Sequence, residues 1–142
     1  MRTDAFRPTL VLSVVTLLIW TTRIRNIWTD DSLDTAGQLG RTALSLTFTA
    51  LALAGAWLWW DARRRRGARP WAPALVRAFA LWTTAVWLVR GVQIATADHA
   101  AGFIAVHTVL AIGSVALAWW AERAARAAPA APVSRRPVTS AR

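Results

Sequence analysis

The sequence has no cysteine, no lysine and no tyrosine, and only seven of its 142 residues are acidic. The absence of cysteine excludes disulfides, thiolate metal sites and cysteine nucleophiles. Because lysine is also absent, all 17 basic residues are arginine, and the formal net charge is +10. Heavy use of arginine and alanine without lysine is typical of a GC-rich bacterial genome.

Apolar residues make up 56% of the chain and charged residues 17%, which excludes a disordered protein. The arginines lie outside the long apolar runs or at their ends. Nucleic-acid-binding modules instead carry basic residues across a folded polar face. The pattern therefore indicates a membrane protein, and no nucleic-acid partner is expected.

Four apolar runs are long enough to cross the ~30 Å hydrocarbon core of a bilayer, which takes about 20 helical residues. They cover residues 8–28, 39–60, 73–94 and 101–121. Pro8 and Pro73 fall in the first turn of their runs, where the missing N–H of proline costs nothing. We predict a transmembrane domain of four helices over residues 1–126 and a disordered basic tail over residues 127–142.

Arginines mark one side of the predicted membrane domain. They occur near the N-terminus, in the link between the second and third runs, and in the tail. The two other loops carry Asp30, Asp31, Asp34 and Asp98. By the positive-inside rule, we expect a multi-pass protein of the cell membrane with both termini in the cytoplasm. A cleaved signal peptide is disfavoured, because Arg23 and Arg25 stand where cleavage would occur.

Part of the sequence is repeated. Aligning residue 16 with residue 83 gives six identical pairs in 16 positions. The pairs are Thr16/Thr83, Trp20/Trp87, Arg23/Arg90, Ile27/Ile94, Thr29/Thr96 and Asp31/Asp98. The second and fourth runs match more weakly at an offset of 60, as at Trp59/Trp119. Such repetition predicts an all-α four-helix bundle built from two tandem, parallel-repeat hairpins.

A polar layer is predicted near the outer ends of the helices. At ~1.5 Å per residue, Arg23 lies ~22 Å beyond Pro8 and Arg90 ~26 Å beyond Pro73, close to the outer edge of the membrane. The candidate binding residues at this level are Arg23, Asn26, Thr47, Arg90, Gln93 and His107. Ionisable groups within a span mark candidate functional sites, and paired arginines suit an anion such as a headgroup phosphate or a carboxylate.

Structural roles are the alternative for the two arginines. Each lies close enough to the boundary for its side chain to reach water along its methylene stem. Arg23 could also form an ion pair with Asp98, and Arg90 with Asp31, which would lock the two hairpins together.

No cofactor and no catalytic residue is predicted. His99 and His107 lie eight residues apart on one hairpin arm, so one chain does not easily supply both axial ligands of a haem. A quinone pocket in which His107 donates a hydrogen bond is a further alternative. Histidine and acidic residues show no metal-ligand spacing, and no nucleophile motif is present.

Two functions of different class follow from these observations. The leading interpretation is a non-enzymatic structural or accessory subunit that contacts membrane lipids and packs against another membrane protein or itself. The alternative is a binding or permeation site between the two hairpins for an anion, a lipid headgroup or a quinone.

Overall fold

The structure, a computed structural model, describes residues 4–65 and 67–128. These residues form one 3-10 turn, Asp4–Phe6, and four α-helices. The helices are α1 (Arg7–Trp28), α2 (Thr35–Arg65), α3 (Ala72–Thr96) and α4 (Ala101–Arg126). Each helix is long and apolar enough to cross a membrane, which confirms the predicted all-α class and four long apolar helices. Of the predicted tail, residues 129–142 lie outside the described residues.

Helix α2 begins before the predicted run because a side chain caps it. The backbone N–H of Gly37 donates a hydrogen bond to Asp34 Oδ1 at 2.8 Å. An aspartate in this position satisfies one of the free N–H groups of the first helical turn. The cap extends α2 upstream to Thr35, four residues before the predicted start of the run.

Helices α2 and α4 also extend beyond their apolar runs, into the arginine-rich segments. Arg63 and Arg64 place their guanidinium groups over Trp59 and Trp60, at 5.0 and 3.8 Å from the ring centroids. Basic side chains in the last turn are also favoured by the partial negative charge of a helix C-terminus. These contacts explain why the arginine run of α2 continues the helix up to Arg65.

Successive helices run in opposite directions, and the bundle is tighter at one end than at the other. Helix α1 packs on α2, α3 packs on α4, and α1 also packs on α4, whereas α2 and α3 approach each other less closely. We call the end that holds the α1 N-terminus, the α2–α3 link and the α4 C-terminus the closed end. Buried side chains of all four helices meet there, among them Leu12, Leu58, Val76, Phe79, Ala118 and Ala121.

The opposite end, which we call the open end, is less well filled. Within α4, every buried residue lies at Ala118 or later, so the helix from Ala101 to Leu117 contributes none. An aromatic layer separates the two ends. Trp20 stacks on Phe48 with 4.1 Å between ring centroids, and Trp82 contacts Phe48 at 6.3 Å. The cavities described below lie at the level of this layer and beyond it toward the open end.

Helices α1 and α2 are in tight contact at Gly55, near the closed end. A Cβ atom built on Gly55 would lie 2.5 Å from Ser13 Oγ and 3.3 Å from Thr9 Cγ2. Ordinary van der Waals contacts of a Cβ begin near 3.4 Å. A residue larger than glycine at this position would therefore require the Ser13 side chain to move.

Candidate functional site

Three arginines from three helices lie at one level of the open end. Arg23 is five residues before the end of α1, Arg90 is six before the end of α3, and Arg41 is six after the start of α2. At ~1.5 Å per residue, each lies about 8–9 Å inside the end of its helix. Their charges are close enough to repel one another. We call Arg23, Arg41 and Arg90 the arginine cluster.

No carboxylate in the part of the chain that the structure describes forms a salt bridge with the arginine cluster, although Asp30 is close enough to Arg41 for their charges to attract. Salt bridges in those ranges are formed by the acids Asp61 and Glu122, both at the closed end. Arg90 Nη1 donates a hydrogen bond to Gln93 Oε1 at 3.1 Å. The Arg23 guanidinium lies 6.0 Å from the Trp20 ring. Within the described ranges, Arg23 and Arg90 therefore contact neutral side chains.

A small cavity of about 50 Å³ lies against this cluster. Its polar lining comes from Arg23, Arg90 and His107, and its walls include Trp20 and Trp87. On the same volume measure one water takes roughly 10–15 Å³. The cavity therefore has room for a few waters or for one group of the size of a phosphate, sulfate or carboxylate.

A wider cavity of about 600 Å³, which we call the α2–α3 groove, lies between these two helices. At one end it is lined by Gly40, Arg41, Arg90 and Gln93, and further along by Leu44, Trp82, Ala85, Val86 and Val89. Arg90 and Val86 line both cavities. The groove therefore begins at the arginine cluster and continues over an apolar surface.

The structure brings together four of the six residues of the predicted polar layer. Arg23, Arg90 and His107 line the small cavity, and Gln93 joins them through Arg90. Asn26 and Thr47 lie in neither cavity and are exposed.

Thr47 points away from the site for a geometric reason. Residues adjacent in sequence diverge by about 100° around a helix, and the neighbouring Phe48 occupies the face of α2 that is buried against Trp20. The Thr47 hydroxyl donates instead to the Ala43 carbonyl of its own helix at 3.0 Å.

The proposed ion pairs of Asp31 and Asp98 are not formed among residues 4–65 and 67–128. Both carboxylates are exposed, in the α1–α2 and α3–α4 loops. The neighbouring Asp30 has a carboxyl pKa below its ordinary value, because the hydroxyl and then the backbone N–H of Ser32 donate hydrogen bonds to it. The charge of Arg41 also lowers this pKa, so Asp30 lies near Arg41, whereas neither Asp31 nor Asp98 forms an ion pair with Arg23 or Arg90 in the described ranges.

The two histidines cannot ligate opposite faces of one haem. The Phe103 ring lies between them, with its centroid 4.5 Å from that of His99 and 3.9 Å from that of His107. His107 Nδ1 is 2.9 Å from the Phe103 carbonyl oxygen. When this nitrogen carries the proton, it donates a hydrogen bond to that carbonyl within the same helix. In the described ranges there is also no group of three or more His, Asp or Glu side chains that could hold a metal.

Three residues with marked environments were not expected from the sequence. Arg41 stands alone among the arginines at the start of the second apolar run, and that isolation is the available signal in the sequence. Asp61 and Glu122 are buried at the closed end. Asp61 accepts hydrogen bonds from the Nε atoms of Arg65 and Arg69, both at 2.8 Å, and Glu122 pairs with Arg126. Acid and arginine four residues apart on a helix were the signal for two of these pairs.

Residues that correspond in the proposed repeat have similar environments in α1 and α3. Thr16 and Thr83 are buried, Ile27 and Ile94 are buried, and Arg23 and Arg90 are each half-buried. Trp20 and Trp87 line the same cavity, but only Trp20 is fully buried, against Phe48. At these four pairs of positions, α1 and α3 therefore carry the same residue type on the side that faces the other helices.

No protein-family model matches the chain, and no curated protein or solved structure is significantly similar to it. The class of protein is therefore defined by the fold and the site. It is a four-helix bundle of membrane-spanning length with a cavity at one end that is lined by two arginines and a histidine.

Proposed function

We propose that the chain is a small, non-enzymatic multi-pass membrane protein that binds an anionic group at the open end, between its two hairpins. The observation that carries this proposal is the arginine cluster. Arg23 of α1 and Arg90 of α3 line a cavity of anion size, Arg41 of α2 lines the adjoining groove, and no carboxylate of the described ranges forms a salt bridge with any of the three.

The physical argument rests on charge. A charged group that is partly withdrawn from water is costly unless it is paired, and charges inside a membrane span are costly for the same reason. Arginine offers several N–H donors in a planar fork that matches phosphate and carboxylate oxygens. An anion at Arg23 and Arg90 would neutralise both charges and relieve the repulsion among the three helices.

The size of the small cavity separates the candidate ligands. Sites for drug-sized molecules are typically ~300–1,000 Å³, far larger than the ~50 Å³ here. A quinone ring or a haem does not fit that volume, whereas a phosphate or carboxylate group does. The adjoining α2–α3 groove is large enough for a ring, but a neutral quinone there would leave the charges of Arg41 and Arg90 without a counter-ion. Among the ligands considered for this site, the anion is the one whose size and charge both agree with the lining.

The proposal includes the membrane orientation and the tandem repeat. The closed end carries the arginines of the α2–α3 link and of the α4 C-terminus, so the positive-inside rule assigns it to the cytoplasm and the open end to the outer side. The matching environments of Thr16/Thr83, Ile27/Ile94 and Arg23/Arg90 support two equivalent hairpins.

Phosphate-dependent stabilisation tests the anion site. The purified protein in a neutral detergent is titrated with sodium phosphate, against sodium chloride at equal ionic strength. A ligand at 100 times its Kd stabilises the folded state by ~2.7 kcal/mol, which raises Tm measurably. We expect this rise in the wild type, its loss in Arg23→Gln with Arg90→Gln, and its retention in Arg25→Gln.

Arg25 is a matched control, since it lies on α1 near Arg23 but is exposed and lines neither cavity. Equal stabilisation of all three proteins would contradict the proposed site, because the effect would then be general to phosphate. No stabilisation in any of them would contradict anion binding itself.

Single cysteines test the orientation, because the native chain has none. In intact cells, a membrane-impermeant maleimide should label Ser32→Cys in the α1–α2 loop but not Gly67→Cys in the α2–α3 link. Labelling of Gly67→Cys alone would place the closed end outside.

The accessory-subunit interpretation is a second candidate, favoured by the outer part of α4. Val109 and Ile112 are 70% and 66% exposed, and Gly102 and Gly113 have no other atoms near their missing side chains. Small residues let helices in a membrane approach closely. Energy transfer between two labelled copies in vesicles, and its loss in Gly113→Leu, would support packing of this face against a second copy.

A further inference from the structure

The α2–α3 groove combines a cationic end with an apolar floor. Arg41, Arg90 and Gln93 line its outer end, and Leu44 and Val89 begin the apolar part. Along α3 the lining extends from Gln93 to Trp82, eleven residues, which is a length of ~16 Å. The groove thus runs lengthwise down the bundle, with its charge confined to the end near the outer boundary.

The groove opens to the side of the bundle. Helices α2 and α3 approach each other less closely than the other neighbouring helices, and Trp82, Ala85 and Val89 on its wall are exposed. In a membrane, this opening faces the acyl chains directly. An occupant could therefore enter laterally from the bilayer without passing through water.

We infer that the α2–α3 groove binds one anionic phospholipid, with its phosphate at Arg41 and Arg90 and an acyl chain along Leu44, Val89, Ala85 and Trp82. This inference rests on the proposed function, because the lipid phosphate would be held by Arg90, which lines both the small cavity and the groove. It names the source of that anion as a lipid of the outer leaflet.

Charge complementarity and shape together favour a lipid over a free ion. A free phosphate would use only the arginine cluster and would leave the ~16 Å of apolar groove without a partner. A phospholipid places its phosphate and its chains in this same order along the membrane normal. The Gln93 amide, which accepts a hydrogen bond from Arg90, fixes that guanidinium at the mouth of the groove.

Two substitutions separate the headgroup from the chain. Arg41→Gln removes a charge at the mouth, and a hydrogen bond to a charged group is worth ~1.5–3 kcal/mol, so we expect about a tenfold or larger loss of lipid preference. Ala85→Trp fills the apolar part of the groove and leaves the arginine cluster intact. Ala105→Trp is the matched control, since Ala105 is an exposed alanine of α4 that lines neither cavity.

Native mass spectrometry measures the preference. Each variant is reconstituted in nanodiscs with equal amounts of phosphatidylglycerol and phosphatidylcholine. The protein is then released from the nanodisc in the spectrometer, and the lipid molecules that stay bound to it are counted. We expect phosphatidylglycerol to dominate on the wild type and on Ala105→Trp. It should be lost from Arg41→Gln and from Ala85→Trp, while Ala85→Trp still gains stability from inorganic phosphate.

The outcomes distinguish this inference from the proposed function. Retention of phosphatidylglycerol by Ala85→Trp would overturn the placement of the chain in the groove. Displacement of the lipid from the wild type by inorganic phosphate at equal concentration would overturn the lipid as the source of the anion. In both cases phosphate stabilisation that depends on Arg23 and Arg90 would leave the anion site itself standing. An absence of any headgroup preference in the wild type would overturn the inference outright.

Discussion

Replacing Gly55 by alanine puts a methyl group into the tight contact between α1 and α2. The new Cβ would lie 2.5 Å from Ser13 Oγ, about 1 Å inside ordinary contact, and 3.3 Å from Thr9 Cγ2. Overpacking of this kind costs typically ~1–3 kcal/mol. Alanine also favours the helix by ~1 kcal/mol over glycine, so the net change is smaller than the packing cost.

Gly113→Ala isolates the packing cost, because both substitutions carry the same change in helix propensity. No atom outside the backbone of α4 lies within 4 Å of the Cβ position of Gly113, so Gly113→Ala carries the gain in helix propensity without a packing cost. The difference in unfolding free energy between the two variants should therefore be ~1–3 kcal/mol, with Gly55→Ala the less stable. Reversible unfolding in mixed micelles, followed by tryptophan fluorescence, measures that difference.

A second substitution identifies the obstructing atom. Ser13 Oγ is buried and, among the described residues, has no hydrogen-bond partner, so Ser13→Ala alone should cost little. Combined with Gly55→Ala it removes the closest contact and should restore about 1–2 kcal/mol, a coupling expected of touching residues. Equal stabilities of Gly55→Ala and Gly113→Ala would refute the close approach, and a failed rescue would show that Ser13 is not the obstruction.

Two further substitutions test other contacts. Trp119→Phe removes the hydrogen bond that the indole Nε1 donates to Thr84 Oγ1 at 3.0 Å, so unfolding should become easier by about 1 kcal/mol. Thr84→Val also removes the hydrogen bond that the Thr84 hydroxyl donates to the Ala80 carbonyl, so it should cost less in Trp119→Phe than in the wild type without its effect vanishing. Asp61→Asn weakens the contacts of this buried side chain with two arginines, and should cost about 1–2 kcal/mol and speed proteolysis at the α2–α3 link, whereas exposed Asp31→Asn should change neither.

The long apolar runs predicted the number and approximate positions of the helices. This success has a simple physical basis, since an uninterrupted run of about 20 apolar residues has few stable conformations other than a helix. The ends were less predictable. Asp34 extends α2 through a side-chain cap, and tryptophans one turn away hold Arg63 and Arg64 within the same helix.

The sequence predicted those residues of the candidate site that occupy matching positions in α1 and in its repeat, α3. Arg23 and Arg90 occupy equivalent positions of α1 and α3, and the structure places both on one cavity. Arg41 was missed because its place beside Arg90 depends on how α2 lies against α3, which no periodicity within either helix encodes. Thr47 lies outside both cavities for a related reason, since the direction of its side chain depends on the face that α2 buries.

The tight contact at Gly55 is a point about which α2 could tilt relative to the rest of the bundle. Arg41 lies fourteen residues from Gly55 along α2, a distance of ~21 Å at ~1.5 Å per residue. If the contact at Gly55 is the fixed point, a tilt of α2 by only about 8° moves Arg41 by about 3 Å relative to α3. A small change in packing at the closed end would then change the width of the α2–α3 groove at Arg41. The change would be comparable to the radius of a phosphate group.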